Sequence, residues 1–363
     1  MEKKPVAAEA FAHGRVNLIG EHTDYNGGWV LPTAIPQKTT VHVTPREDGQ
    51  VTIDAGADPK SGEHRHTAYR LGEEKATGQW WDYVQGVTSV LAKSGFSLKG
   101  FDLSIRSNVP EGSGLSSSAA LEVSVLKAIR GSQNLDIPDM QIAQFGQRVE
   151  NEFVGARVGI MDQMACSFAK SGEALFLDTR DLVYRNVRIP RESVELVIVN
   201  SGVTHALSSA NGYNQRRAEC EKACEALGVE SLRELSLKDL PRVATLAEPM
   251  NRRAKHVITE NERVKNAVTA LESNDFSELG RLFFESHASM RDDYEVSVPE
   301  IDALVEAARF DSNVFGARLT GGGFGGSIVA LVKAGTGASV GKKILEIYHR
   351  DPKRHGVLLV PEV

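Results

Sequence analysis

The densest chemistry in the chain lies at 14–28, GRVNLIGEHTDYNGG, where Arg15, Glu21, His22, Asp24 and Asn26 fall between two glycine-bearing turns. Carboxylates accept hydrogen bonds from hydroxyls, and an arginine beside them keeps its positive charge at any working pH. Such a set suits a polyhydroxylated ligand or, since Asp, Asn and Gly are ordinary turn residues, a solvated turn. A second cluster is VPEGSGLSSSAALEVS at 109–124, in which Gly112 and Gly114 precede Ser116, Ser117 and Ser118 and then a helical pattern. Glycines let backbone approach an anion, and a helix start adds unpaired N–H groups and the positive end of its dipole. The same residues also describe a glycine-rich turn with a serine cap.

Two further segments carry ambiguous signals. LTGGGFGGS at 319–327 fits GxGxxG through Gly321, Gly323 and Gly326, but a strand pattern, SIVALV, follows where a dinucleotide fold needs a helix. It reads instead as a tight loop packing backbone against a ligand or against the first glycine loop. Asp162 sits in GIMDQMACSFA at 159–169 among apolar residues, either as a helix cap or as a base held near a substrate. No GxxxxGK followed by Ser or Thr occurs, so a P-loop nucleotidase is disfavoured, and His64 with His66 is only an HxH fragment.

The elements that must hold these groups alternate in type. Strands are expected at 39–44, 101–106 and 194–202 and at SIVALV, 327–332, which closes the chain. Helices are expected at 117–129, ended by Gly131, and at 138–153, then near 213–226, 260–271, 276–290 and 299–310. This is an α+β layout. The charged stretch at 180–192 with Pro190 places a boundary near 190, giving units of 1–190 and 191–363, in keeping with roughly 150 residues per domain.

Composition narrows the class. With 42 Lys+Arg against 48 Asp+Glu and a net charge of −6, a nucleic-acid polycation is excluded, and 41% apolar residues argue against disorder. No apolar run reaches the length of a membrane span, and the first residues lack the apolar core of a secretory signal. Three cysteines, Cys166, Cys220 and Cys224, cannot all pair within one chain, which fits a reducing cytoplasm.

The three glycine-bearing motifs, in this order and at these separations, closely resemble the GHMP small-molecule kinases and, within them, the galactokinase branch. MRDDYEVSVPEID at 290–302 is also similar, so the resemblance spans nearly the whole chain. It implies a two-domain α+β fold, ribosomal-S5-like then ferredoxin-like, with ATP and sugar meeting in the cleft. It implies ATP on Gly112, Ser113, Gly114, Leu115, Ser116, Ser117 and Ser118, Mg²⁺ on Ser118 and Glu150, and Trp80 lining the adenine pocket. On the sugar side it assigns Glu21, His22, Thr23, Asp24, the Gly159 backbone and Tyr213, with Asp162 beside the anomeric oxygen and Arg15 against both. Asp162 and Arg15 would be catalytic, and galactose 1-phosphate and ADP the products.

Expected partners are a small-molecule sugar and a nucleotide, with no nucleic acid, membrane or obligate protein partner. His13 stands where relatives usually carry proline before the first motif. Two other readings remain: a kinase for N-acetylgalactosamine or arabinose, and a non-catalytic sugar sensor. Sensors tend to lack the alanine pair after the serines, whereas Ala119 and Ala120 are present here.

Overall fold

The computed structural model describes residues 5–58, 61–204 and 206–361. In chain order its strands begin with β1 (Ala8–Asn17), β2 (Trp29–Val30), β3 (Pro32–Pro45), β4 (Gln50–Ala57), β5 (His64–Arg70) and β6 (Phe101–Ser107). They continue with β7 (Glu173–Asp178), β8 (Val183–Arg188), β9 (Val194–Thr204), β10 (Val314–Thr320), β11 (Gly325–Lys333) and β12 (Val357–Val360). The helices are α1 (Asp82–Lys93), α2 (Ser117–Gln133), α3 (Asp139–Arg148), α4 (Met161–Phe168) and α5 (Ala206–Leu227). After them come α6 (Leu240–Val243), α7 (Met250–Glu272), α8 (Phe276–Asp292), α9 (Pro299–Arg309) and α10 (Gly337–Tyr348). Residues up to Gly14, with Pro36–Glu111 and Ser116–Phe168, form one compact unit; Arg15–Ile35, Gly112–Leu115 and everything from Ala169 form the other.

In the first unit β3 pairs antiparallel with β6, β6 parallel with β4, and β4 antiparallel with β5. Val41 and Val43 of β3 point into the core while Thr40 and His42 point out, the period-two pattern of a half-buried strand. Helix α2 buries Ala119, Ala120, Val123, Leu126 and Ile129 along one side. It runs past Gly131 and ends at Asn134, whose left-handed backbone (φ 54°) lets its N–H reach the Arg130 carbonyl. A Cβ at Gly131 would make only ordinary contact, 3.5 Å from that of Ala8.

The expected helix over 138–153 is regular only to Arg148. Val149–Val154 widens into a π-helical turn that closes at Gly155 (φ 86°) and buries Glu150. Such bulges often mark functional positions. Gly86 of α1 makes room for it, since a side chain there would meet Val149 Cγ1 at 2.6 Å.

The second unit holds an antiparallel sheet in the order β10-β11-β9-β12. With α5 to α9 between β9 and β10, and α10 between β11 and β12, its strand connectivity is ferredoxin-like, as the resemblance implied. The expectation that SIVALV closes the chain is corrected: α10 and β12 follow, and β12 pairs with β9. Also in this unit, β7 pairs with β2, β8 and the first residues of β3.

Helix α8 lies against β10 so closely that a Cβ on Gly280 would sit 2.1 Å from the Phe315 carbonyl, and one on Gly316 2.2 Å from the Gly280 carbonyl. Backbone cannot yield as a side-chain tip can. Gly280→Ala is therefore expected to lower stability by about 3 kcal/mol or more, seen as a fall in the urea midpoint, whereas Gly335→Ala, which meets open space, costs only its positive-φ strain of about 1 kcal/mol.

Candidate functional site

From Arg15 onward the signature segment lies in the second unit. After β1 the chain turns through Gly20 (φ 108°) and His22 (φ 63°), and the Asn26 side chain donates to the His22 carbonyl at 2.9 Å. The Gly20 position is backbone-tight, since a Cβ there would meet the Trp29 carbonyl at 2.7 Å. Thr23 serves the loop itself: its hydroxyl faces the carbonyls of Gly20 and Trp29 at 2.8 and 2.7 Å. That commits the one proton it has and argues for a positioning task rather than a ligand contact.

Glu21 is 1% exposed, and both of its oxygens are engaged. Oε2 accepts from the Arg318 guanidinium and from Asn17 Nδ2, and Oε1 accepts from the Gly321 N–H at 3.0 Å. Arg318, wholly buried, also donates to the Asn17 and Leu18 carbonyls and to Ser286 Oγ. Glu260 stands behind, ion-paired with Arg263 and held down to about 2, where burial is outweighed by Arg263, His256 and Arg318. Glu21 moves the other way, because burial outweighs Arg318.

His22 is buried with Nδ1 2.9 Å from the Tyr25 hydroxyl, and its ring packs beside Tyr213 and Tyr294 at centroid distances of 5.3 and 4.7 Å. Burial, with the charges of His256 and Arg216, pushes its pKa down to about 3, so the ring is neutral. Tyr213 thus joins the signature residues, and Asp24 is half-buried in the short turn beside them. Of the two readings of TGGGFGGS, the structure shows packing on the first glycine loop. Ser327 Oγ donates to the Ser113 carbonyl, and a Cβ on Gly321 would lie 2.8 Å from the Gly114 carbonyl. Arg15 joins the same loop, its guanidinium donating to the Gly114 carbonyl and its N–H to the Leu115 carbonyl.

The chain passes from the second unit to the first between Leu115 and Ser116. Ser116 takes a left-handed backbone (φ 60°) and no serine side chain caps α2, contrary to the expected serine cap; its buried Oγ has no hydrogen-bond partner. Ser117 and Ser118 open the helix, and Ser118 hydrogen-bonds to Glu150. Burial raises Glu150 to about 7 against the Ser118 hydrogen bond, with the Asp162 charge adding to the rise. Asp162, half-buried, lies one residue inside α4 and so past the cap position; Gly159 is buried just before the helix. Trp80 sits in the turn preceding α1, edge-on to Trp81 and under the Arg65 guanidinium.

Residue-type reasoning overlooked Glu122. It is fully buried on α2, accepts from Gln163 Nε2 at 3.2 Å, and keeps Oε1 unpartnered. Burial and the Glu150 charge push its carboxyl well above the usual range. The signal was an acid at a core position of an apolar helix. Arg318, inside the apolar strand β10, gave the same kind of signal. Among the described residues no three His, Cys, Asp or Glu groups cluster to cage a metal, so a divalent ion at Ser118 and Glu150 would need ligand oxygens from elsewhere.

Residues 82–170 match the GHMP kinases N terminal domain, 267–349 the GHMP kinases C terminal domain, and 2–45 the galactokinase galactose-binding signature. A galactokinase of Roseiflexus sp. (strain RS-1) is 42% identical over 356 residues, covering 96% of this chain and 89% of the relative. The chain belongs to the galactokinase family of the GHMP kinases. Another relative, a galactokinase of Streptomyces coelicolor, is 43% identical over 93% of this chain and 87% of its own length. Lactococcus lactis galactokinase, solved in complex with galactose, superposes with a TM-score of 0.91 at 36% identity, covering 97% and 92% of the two chains. A mevalonate kinase at 18% identity and TM-score 0.66, covering 96% and 98%, shares the fold.

The buried acids make a stability prediction. Glu150 titrates near 7 folded and about 4.5 unfolded, so between those values the folded chain keeps a proton that the unfolded chain releases. Stability then falls as pH rises through that window, by up to about 3 kcal/mol once above it. Glu150→Gln, without nucleotide or divalent cation, should melt above wild type at pH 8 and lose most of that advantage at pH 5; equal differences at both pH values in a melting series would contradict the desolvated acid.

Proposed function

We propose that this protein phosphorylates the C1 hydroxyl of D-galactose with ATP, yielding galactose 1-phosphate and ADP. The observation that carries this reading is the packing of Tyr213 on His22, in a loop that also holds Glu21 and falls within residues 2–45, which match the galactose-binding signature. ATP phosphates lie along Gly112 to Ser118, where glycine backbone and the start of α2 offer N–H groups. The buried, unpartnered Ser116 Oγ and the desolvated Glu150 beside Ser118 fit a phosphate oxygen and a hard cation. Ser118 and Glu150 would hold Mg²⁺ there, and the ion would supply positive charge against the phosphates.

Asp162 takes the proton of the C1 hydroxyl as that oxygen bonds to the γ-phosphorus and the bond to ADP breaks. Arg15 supplies a permanent positive charge at the glycine loop against the charge that develops on the phosphoryl oxygens. Positioning and electrostatics carry most of the acceleration, because phosphoryl transfer is usually loose. Glu21 and Thr23 act by holding the loop, while His22, Asp24, Tyr213 and the Gly159 backbone take the sugar hydroxyls, and Trp80 lines the adenine.

We further assign 1–190 and 191–363 as the two family domains and place the protein in the cytoplasm. Two observations support the location: Cys166, Cys220 and Cys224 form no disulfide, and no described helix is long and apolar enough to cross a membrane.

ADP release with Mg-ATP should depend on galactose and not on glucose, arabinose, galactosamine or N-acetylgalactosamine. Asp162→Asn should cut turnover by at least about 10² while calorimetry still detects galactose binding. Wild-type turnover in that variant removes Asp162 from the mechanism, and preference for another sugar relocates the error to the pocket.

A further inference from the structure

The segment at 290–302 takes no part in the chemistry above, yet it delivers Tyr294 to the back of His22, entirely within the second unit. Tyr294 is fully buried, and its hydroxyl lies 2.7 Å from that of Tyr25, which in turn lies 2.9 Å from His22 Nδ1. On the other side the Tyr294 hydroxyl is 3.1 Å from Cys220 Sγ, and the Asn26 side chain also hydrogen-bonds to that thiol. The result is an unbroken line from Cys220 through buried Tyr294 and half-buried Tyr25 to His22. Its far end is His22 Nε2, a buried nitrogen with no partner at full hydrogen-bond geometry.

The line is held firmly. Arg216 Nε donates to the Tyr294 carbonyl at 2.7 Å and Arg253 to the Asp293 carbonyl at 2.7 Å. Both guanidiniums are ion-paired to Glu219, and Arg253 also to Glu295. His256 stacks on the other flank of Tyr294 at 4.4 Å. None of these contacts involves the phosphate loop or Asp162.

Each hydroxyl has one proton, so the line has two polarities. In one, Cys220 S–H donates to Tyr294, Tyr294 to Tyr25, and Tyr25 to His22 Nδ1, leaving the imidazole proton on Nε2. In the other every bond reverses, and the last phenol must donate to sulfur, a weak acceptor already engaged by Asn26. The surroundings of the ring favour the first. The Gly322 backbone also favours a protonated ring nitrogen.

We propose that Tyr25 and Tyr294 are positioning residues that fix His22 as the Nε2–H tautomer, a hydrogen-bond donor toward a hydroxyl oxygen of the bound sugar. The neutral ring, cast in one tautomer before the ligand arrives, then requires an acceptor at that point and rejects an N–H or methyl group there. This gives the fourth segment its task. The proposal rests on the sugar-kinase reading for its consequence, though not for its observable.

The test is ¹⁵N–¹H multiple-bond correlation on full-length protein labelled at histidine, with His22→Asn identifying the His22 signals. Wild-type protein without ligand should show a bare Nδ1 and a protonated Nε2. Tyr25→Phe removes the donor and should shift the ring to a mixture or to Nδ1–H, with Tyr294→Phe giving a smaller shift. In turnover assays Tyr25→Phe should raise the galactose KM about tenfold, one hydrogen bond's worth, and leave the ATP KM within about twofold. A proton on Nδ1 in wild type overturns the proposal without any variant needing to fold, and so does an unchanged tautomer in Tyr25→Phe. Because the spectra need no turnover, a protein that phosphorylates another sugar would fail the functional reading and still decide the relay.

Discussion

Arg318 brings a permanent positive charge into the middle of the second unit with none of its side chain exposed, and much of that unit is arranged to satisfy it. Its guanidinium reaches Glu21, two carbonyls at the end of β1, Ser286 on α8 and, at 3.7 Å, Glu260 on α7. Removing one partner from a buried ionic set leaves an uncompensated charge, a loss of several kcal/mol, so these segments are obliged to stay together. The same glutamate receives the Gly321 N–H, which fastens the third glycine motif, and that motif packs on Gly114 and Ser113. One ion pair therefore sets the register between the sugar signature and the loop assigned to the phosphates.

The first unit makes a different use of buried charge. Glu122 and Glu150 are both desolvated; the Glu150 charge raises the pKa of Glu122, and the Asp162 charge adds to the rise of each. Folding alone gains nothing from such an arrangement. It becomes intelligible as a site that a divalent cation and its phosphates would relieve, and the π-helical turn at Val149–Val154, made possible by Gly86, is the local device that turns Glu150 inward.

Around His22 the fold uses aromatic rings and hydroxyls in place of charge. Tyr25 comes from the signature, Tyr213 from α5 and Tyr294 from the segment after α8, so three parts of the chain far apart in sequence build one neutral, buried histidine environment. Charge acts on the ring from a distance, through His256 and Arg216, and Arg216 with Arg253 also holds the backbone that carries Tyr294.

Local pattern was enough to read the layout of the chain and the chemistry of its motifs. Short strand-like runs marked β6 and the second half of β3, helical spacing marked α2, α8, α9 and the second half of α7, and glycine and serine spacing marked the loop assigned to the phosphates, because each depends on contacts within a few residues. The same locality explains the misses. Gly131 was read as a stop, but the helix continues to Gln133 and Asn134 ends it; the π-turn and the strand β12 depend on neighbours distant in sequence. The sequence by itself determined the family, the α+β class and which residues carry acids, hydroxyls and glycines. Only the tertiary structure decided that Glu21 and Thr23 hydrogen-bond within their own unit, that Arg318 and Glu122 are each buried, and that Tyr294 stands behind His22. Those facts follow from burial and hydrogen-bond direction between segments up to three hundred residues apart, as with Arg318 and Leu18, which no local pattern encodes.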